Sequence, residues 1–170
     1  MNKISLRRAT EADISSIRQL ADRIWGEHYP SIISEAQIAY MLESIYSDAA
    51  LRRQIEEEGQ EIWLPEKDGQ SFGFMAMSKK GEGEYFLHKF YLDTREKGLG
   101  TILFELLLAR YPDLHTMRLR VNRRNFKSVN FYFKLGFRIE FCIDTPFGEG
   151  YVMDDFQMVF GAGKLTEFPA

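Results

Sequence analysis

Arg95-Glu96-Lys97-Gly98-Leu99-Gly100 stands between an apolar run, Tyr85 to Leu92, and a second apolar stretch, Thr101 to Ala109. The pattern reads as strand, tight glycine turn, then helix. Such a turn leaves backbone N–H groups unpaired at the helix start and aims them outward, and with the positive end of the helix dipole they suit a phosphate or pyrophosphate. Gly98 and Gly100 let the backbone approach a ligand because no Cβ intervenes. Arg95 and Lys97 add positive charge beside it. The spacing is R-x-x-G-x-G, which is neither the G-x-G-x-x-G of dinucleotide folds nor the G-x-x-x-x-G-K-S/T of P-loops.

A second segment, residues 121–137, repeats the strand-to-helix theme. Met117, Leu119 and Val121 alternate with polar residues at a period of two, as in a half-buried strand. Asn125 is a helix N-cap by type and Gly136 a helix stop. Here the chain resembles the GNAT family, the Gcn5-related N-acetyltransferases. That family's motif A carries Q/R-x-x-G-x-G/A before a helix, as residues 95–100 do. Its motif B resembles V-N-x-x-N-x-x-A-x-x-F-Y-x-K-x-G-F, and Val121 to Phe137 match it nearly position for position, with Ser128 in place of the usual alanine.

The resemblance implies acetyl transfer from acetyl-CoA, as co-substrate, to an amine. It implies a cofactor site in Phe90, Tyr91 and Leu92 at the strand end, Arg95, Glu96, Lys97, Gly98, Leu99, Gly100 and Thr101 in the loop and first helical turn, and Asn125, Lys127 and Ser128 in motif B. Main-chain amides at Phe90 and Leu92 would face the pantetheine. Tyr132 stands where motif B often has a tyrosine, and is expected to protonate the departing thiolate. The acceptor sets a further demand: an alkylammonium with a pKa near 10.4 lies roughly 4.6 kcal/mol from its neutral form at pH 7. The site must therefore help to remove a proton, directly or through water. Glu84, Phe86, His88 and Phe90 share one face of their strand by alternation, which makes His88 and Glu84 the candidate bases. A water chain with no dedicated base is the rival reading.

Within the family, the chain is more narrowly similar to PaiA-like spermine/spermidine acetyltransferases. The matching pieces are Trp25-x-x-x-Tyr29-Pro30, Ser34-x-x-Gln37-Ile38-x-Tyr40-Met41-Leu42, Lys89-Phe90-Tyr91 and Gly150-Tyr151-Val152-Met153-Asp154-Asp155-Phe156-x-Met158. Glu27, His28 and Tyr29 are expected on the acceptor side. A polyamine would need carboxylates at the mouth, for which Glu27, Glu35, Glu43, Asp154 and Asp155 are available. A protein N-terminal or lysine acetyltransferase would share the cofactor site and need an open groove. A noncatalytic acyl-CoA-binding regulator would keep the glycine loop and lose the proton-handling groups.

Composition narrows the field. With 170 residues, 45% of them hydrophobic and 28% charged, the chain suits one folded domain, expected over residues 1–160 with a tail at 161–170. A net charge of −3 gives no basic stripe for nucleic acid. Arg118, Arg120, Arg123 and Arg124 form a local basic cluster, readable as a solvated strand edge or as an attractor for an anionic cofactor tail. The single Cys142 excludes a disulfide framework, and with three histidines no metal site is expected; Cys142 itself reads as a small buried residue. With neither a leader pattern nor an apolar run of spanning length, a cytoplasmic protein with no membrane partner is expected. It would act as a monomer or homodimer on a small-molecule or peptide amine.

The positioning elements follow in order. Ile4 to Arg7 begins a strand, and Thr10 with Asp13 forms a capping box. Ile14, Ile17, Leu20, Ala21 and Ile24 recur at helical spacing, with Gly26 expected to end that helix and His28-Tyr29-Pro30 to form a loop. Ser34 caps a second helix, and a third runs from Asp48 to about Glu58. Ile62 to Leu64, Ser71 to Ser78 and Glu84 to Leu92 read as strands, separated by turns at Asp68-Gly69 and Gly81-x-Gly83. Thr116 to Val121, Phe137 to Ile143 and Tyr151 to Phe160 follow as strands, the last two flanking a turn at Pro146 to Gly150. This order agrees with the GNAT fold: α/β (α+β), a mixed, mostly antiparallel twisted sheet with two splayed parallel strands and about four to five helices.

Overall fold

The computed structural model describes residues 4–93 and 96–161. Arg95 of the glycine loop and the tail after Gly161 lie outside the described residues. The chain forms two compact units, one of residues up to 79 with 87–112, the other of 80–86 with the residues from 113 onward.

The first unit contains β1 (Ile4–Arg8), a 3-10 turn (Glu11–Asp13), α1 (Ile14–His28), α2 (Glu35–Tyr46), α3 (Asp48–Glu56), β2 (Glu61–Lys67), β3 (Gln70–Ser71) and most of β4 (Gly73–Gly81). It also holds the C-terminal part of β5 (Glu84–Leu92) and all of α4 (Leu99–Leu108). Its strands are ordered β1-β2-β4-β5, with β3 beside β2. The β1–β2 and β2–β4 pairs are antiparallel, pairing Leu6 with Pro65 and Ile62 with Ala76. Local chemistry sets the joints. Asp68 and Gly69 both take positive φ, 53° and 78°, in a two-residue turn between paired Lys67 and Gln70, as a type I′ hairpin requires. Thr10 and Asp13 make the reciprocal capping box. Ser34 and Ser47 cap α2 and α3 through their hydroxyls.

The apolar positions expected on the first helix are all buried. That helix does not stop at Gly26, however, but runs through it to His28. Trp25 is 3% exposed and stacks on Tyr29, with ring centroids 4.2 Å apart. Burying that indole outweighs the roughly 1 kcal/mol that a helical glycine costs. The third helix ends at Glu56, two residues early, with Gly59 at φ 65° beyond it.

The second unit contains β6 (Thr116–Asn122), α5 (Phe126–Lys134), β7 (Arg138–Gly148) and β8 (Tyr151–Phe160), with the tip of the β4–β5 hairpin. β8 lies between β6 and β7, antiparallel to both. The Gly83 carbonyl accepts the N–H groups of His115 and Thr116, fastening the hairpin tip to the start of β6. Two expectations fail here. Pro146 is not in the turn but in β7, opposite Val152; the turn is Glu149-Gly150 alone, both at positive φ. Cys142 is exposed, not buried. β7 ends the order β6-β8-β7, so it has one strand neighbour in its unit, and Ile139 and Phe141 are exposed with it.

The fold class is the one expected: α/β (α+β), with eight strands and five α-helices among the described residues. No helix among them is long and apolar enough to cross a membrane.

Candidate active site

β5 delivers the chain to the glycine loop. Its residues alternate, with Tyr85, Leu87 and Lys89 buried and Glu84, Phe86, His88 and Phe90 half-buried. Gly73 of β4 must be glycine to let β5 pass: a Cβ there would stand 2.3 Å from the Tyr91 carbonyl oxygen. Beyond Leu92, the Asp93 N–H bonds the Phe72 carbonyl at 2.7 Å, and its carboxylate receives Arg23 at 3.0 Å. Glu96 is ion-paired with Lys67 of β2, which offsets a charge that would oppose a phosphate. Lys97 is exposed and has no ion-pair partner among the described residues.

Gly98 holds the left-handed conformation at φ 85°, with open space where a Cβ would point. No side chain caps α4. Its first intrahelical bond is from the Ile102 N–H to the Gly98 carbonyl, so Leu99, Gly100 and Thr101 offer N–H groups with no intrahelical acceptor. Buried Leu99, Leu103, Phe104 and Leu107 hold the helix while Thr101 stays exposed. A pyrophosphate fits this terminus by charge and by access.

Of the two candidate bases, His88 places Nε2 2.7 Å from the hydroxyl of buried Ser78. Phe90, on the same strand face, packs against Phe104 of α4. Glu84 belongs to the other unit, half-exposed beside Arg118.

The opposite face of β5 carries a group that sequence reasoning missed. Lys89 is 5% exposed and donates to Gln54 Oε1 at 2.6 Å and Gln60 Oε1 at 2.8 Å, above the Tyr46 ring. Burial pushes its ammonium down to about 7, against a smaller opposing pull from Glu58. The signal for its burial was in the alternation: the period that leaves His88 half-buried buries Lys89. Next to it, Trp25, Tyr29, Tyr46, Phe74 and Tyr91 form one aromatic cluster. The Tyr29 and Tyr91 hydroxyls meet at 3.1 Å. Burial holds the Tyr46 phenol above its usual range. Trp25 Nε1 is buried with no hydrogen-bond partner among the described residues. The structure thus brings Tyr29 to Tyr91, sets His28 edge-on against Tyr29, and leaves Glu27 exposed.

In the second unit, Asn125 Oδ1 accepts the Ser128 N–H at 3.2 Å and caps α5. At the other end, Gly136 at φ 94° allows the Phe137 N–H to reach the Tyr132 carbonyl and the Gly136 N–H to reach that of Phe133, a Schellman stop. Tyr132 is 9% exposed and packs against Phe131 and Phe137. Ser128 is half-buried and Lys127 exposed. The basic cluster is largely offset: Arg118 pairs with Glu140, Arg123 with Asp144 and Arg124 with Asp154. Asp155, read from sequence as a mouth carboxylate, is 4% exposed. Among the described residues, no cluster of three or more His, Cys, Asp or Glu could hold a metal ion.

A search of curated protein sequences finds no match. Solved structures do match. The PaiA N-acetyltransferase of Thermoplasma acidophilum, in complex with coenzyme A, superposes with a TM-score of 0.74 at 24% identity, covering 92% of this chain and 98% of that one. Spermidine N-acetyltransferase of Vibrio cholerae gives 0.64 at 18% identity over 92% of each chain. The yncA protein of Salmonella typhimurium, with its cofactor acetyl-CoA, gives 0.59 at 17% identity over 98% of each. At these identities the likeness establishes the fold. The family model for the acetyltransferase (GNAT) domain matches residues 31–143, a span that takes in β5, the glycine loop, α4, β6 and α5, and the chain belongs to the GNAT acetyltransferase family.

Proposed function

We propose that this protein transfers the acetyl group of acetyl-CoA to a primary amine, and that the amine is a polyamine of the spermidine class. The observation that carries the reading is the uncapped N-terminus of α4 behind left-handed Gly98. It offers a pyrophosphate N–H groups with no intrahelical acceptor, and Lys97 with no ion-pair partner among the described residues. Bound there, acetyl-CoA supplies an activated acyl group on a thiol leaving group.

The remaining work falls to the chain's own residues. Main-chain amides at Phe90 and Leu92 polarise the acyl carbonyl. Asn125, Lys127 and Ser128 hold the cofactor's chain at the start of α5. Tyr132, fixed by the Schellman stop and its ring contacts, gives its phenolic proton to the departing thiolate. Glu27, His28 and Tyr29 line the acceptor side at the end of α1. Likeness to a spermidine N-acetyltransferase and to a PaiA N-acetyltransferase supports the polyamine acceptor.

The test is CoA release from acetyl-CoA with spermidine, then with a panel of amines and peptides, for the wild type and Tyr132→Phe. A fall of about tenfold or more in kcat, with acetyl-CoA still bound, supports Tyr132 as the acid. Turnover on peptides but not on polyamines overturns the acceptor assignment. Tight acetyl-CoA binding without turnover on any acceptor points to a noncatalytic regulator.

A further inference from the structure

Two carboxylates flank the glycine turn that a pyrophosphate would occupy. The stretch from Asp93 to Gly98 carries Asp93 and Glu96 against Arg95 and Lys97, so its own side-chain charges cancel. An anion drawn to the uncapped start of α4 is favoured by the helix dipole and opposed by two negative groups close by in the chain.

The fold brings a cation to each of them. Arg23 of α1 reaches one oxygen of Asp93 with both Nε, at 3.1 Å, and Nη2, at 3.0 Å. Lys67, the last residue of β2, is ion-paired with Glu96. Both cations come from well-held elements. Arg23 precedes the buried pair Ile24 and Trp25 on α1, and Lys67 is paired with Gln70 across the Asp68-Gly69 turn. Asp93 is held independently of Arg23, since its N–H bonds the Phe72 carbonyl at 2.7 Å.

Folding stability does not account for these pairs. The side chains of Arg23 and Asp93 are 58% and 36% exposed, those of Lys67 and Glu96 29% and 54%, and ion pairs so exposed contribute little. What they change is the charge around the turn. With Arg23 and Lys67 included, four cations stand against two carboxylates. The carboxylates anchor the turn to α1 and β2, and the cations make that anchoring compatible with an anion.

We propose that Arg23 and Lys67 are positioning residues for the pyrophosphate of the acyl donor, acting through Asp93 and Glu96 by offsetting the charge that would repel it. This rests on the acetyl-CoA reading given above. Neither residue is assigned a contact with the reacting atoms, so their effect falls on donor affinity and not on the chemical step. It also makes them selective, because a thioester without a pyrophosphate gains nothing from them.

Calorimetric titration with coenzyme A tests this, together with initial rates on two acyl donors, acetyl-CoA and acetyl-pantetheine. The second keeps the thioester and lacks the pyrophosphate. The proteins are the wild type, Arg23→Ala, Lys67→Ala, and the paired variants Arg23→Ala/Asp93→Asn and Lys67→Ala/Glu96→Gln. Each single variant should bind coenzyme A about three- to tenfold more weakly, with kcat at saturating acetyl-CoA unchanged and rates on acetyl-pantetheine within about twofold of wild type. The deficit should shrink as salt is raised. Each paired variant should regain most of the lost affinity, since it also removes the carboxylate that the cation offset. Single variants that bind as the wild type does overturn the proposal. An equal loss on acetyl-pantetheine overturns it as well, because the defect would then be structural, and so does a paired variant no better than its single parent. Failure of the acetyl-CoA reading would show differently, as a wild type that binds no coenzyme A.

Discussion

The phenolic oxygens of Tyr29 and Tyr91 lie 3.1 Å apart, joining the residue that follows α1 to the penultimate residue of β5. Trp25 stacks beneath Tyr29, and Phe74 lies against Tyr91 with ring centroids 5.4 Å apart, so both phenols are held from behind. The pair ties a residue expected on the acceptor side to the strand that leads into the glycine loop. Removing either hydroxyl should loosen acceptor binding while leaving cofactor binding intact. For Tyr29→Phe and Tyr91→Phe the expected outcome is a rise of about three- to tenfold in acceptor KM, with the acetyl-CoA KM unchanged. The double variant should lose no more than either single one, since the bond between them contributes about 1 kcal/mol and can be lost only once. Steady-state kinetics on the three variants check this.

Lys89 sets a pH dependence of stability. Its folded pKa, about 7, lies below the roughly 10.4 of an unfolded lysine. Between those values the unfolded chain binds more protons than the folded one, so stability rises with pH across that window, by at most about 1.4 kcal/mol per unit from this group. Below pH 7 both states carry the proton and the slope vanishes. Urea unfolding at half-unit steps from pH 6 to pH 10 should show the rise, and Lys89→Met should flatten it. An equal slope in both proteins would remove Lys89 as its source.

The features legible in the sequence were local ones. The capping box at Thr10, the Ser34 cap, the Asp68-Gly69 turn, the Asn125 cap and the Gly136 stop each depend on residues a few positions apart, and the chain states them directly. The limits of β5 were legible for the same reason, since its apolar run is bounded by Gly83 and Asp93 and alternates from Glu84 to Phe90. The same alternation placed Lys89 on the buried face but said nothing of its partners: Gln54 and Gln60 lie more than a helix away in sequence, and only the fold brings amide oxygens to the ammonium. The same reason hid the continuation of α1 through Gly26, which depends on the long-range burial of Trp25 between Tyr29 and Tyr46. Of the candidate site, the glycine turn and the two caps of α5 were visible as motifs. The burial of Asp155 depends on sheet pairing that spacing does not reveal.

Two glycines should separate binding from folding. At Gly98 a Cβ meets open space, so Gly98→Ala costs only the left-handed conformation, about 1–2 kcal/mol. If the loop instead relaxes to spare that cost, the N–H groups of α4 are aimed elsewhere. The expected result is a protein that stays folded and binds acetyl-CoA at least about tenfold more weakly. Gly73→Ala differs, because its Cβ would overlap the Tyr91 carbonyl and the two strands must part. It should destabilise by about 1–3 kcal/mol before any ligand is added. Thermal unfolding with and without acetyl-CoA distinguishes the two effects.

The Asn125 cap and the Tyr132 phenol occupy one helix and should fail in different ways. Asn125→Ala removes the acceptor for the Ser128 N–H, which costs about 1 kcal/mol and frays the first turn of α5. Because Lys127 and Ser128 lie in that turn, the cofactor's KM should rise while kcat changes little. Tyr132→Phe keeps the ring contacts with Phe131 and Phe137 and so should unfold within about 1 kcal/mol of wild type. Its defect should fall on kcat, and should lessen with an acyl donor whose leaving thiol has a lower pKa, since a stable thiolate needs no proton to depart. A cap variant has no reason to respond to the leaving group. Should Tyr132→Phe show the same deficit with both donors, the phenol would be a packing group and the proton would have to come from water.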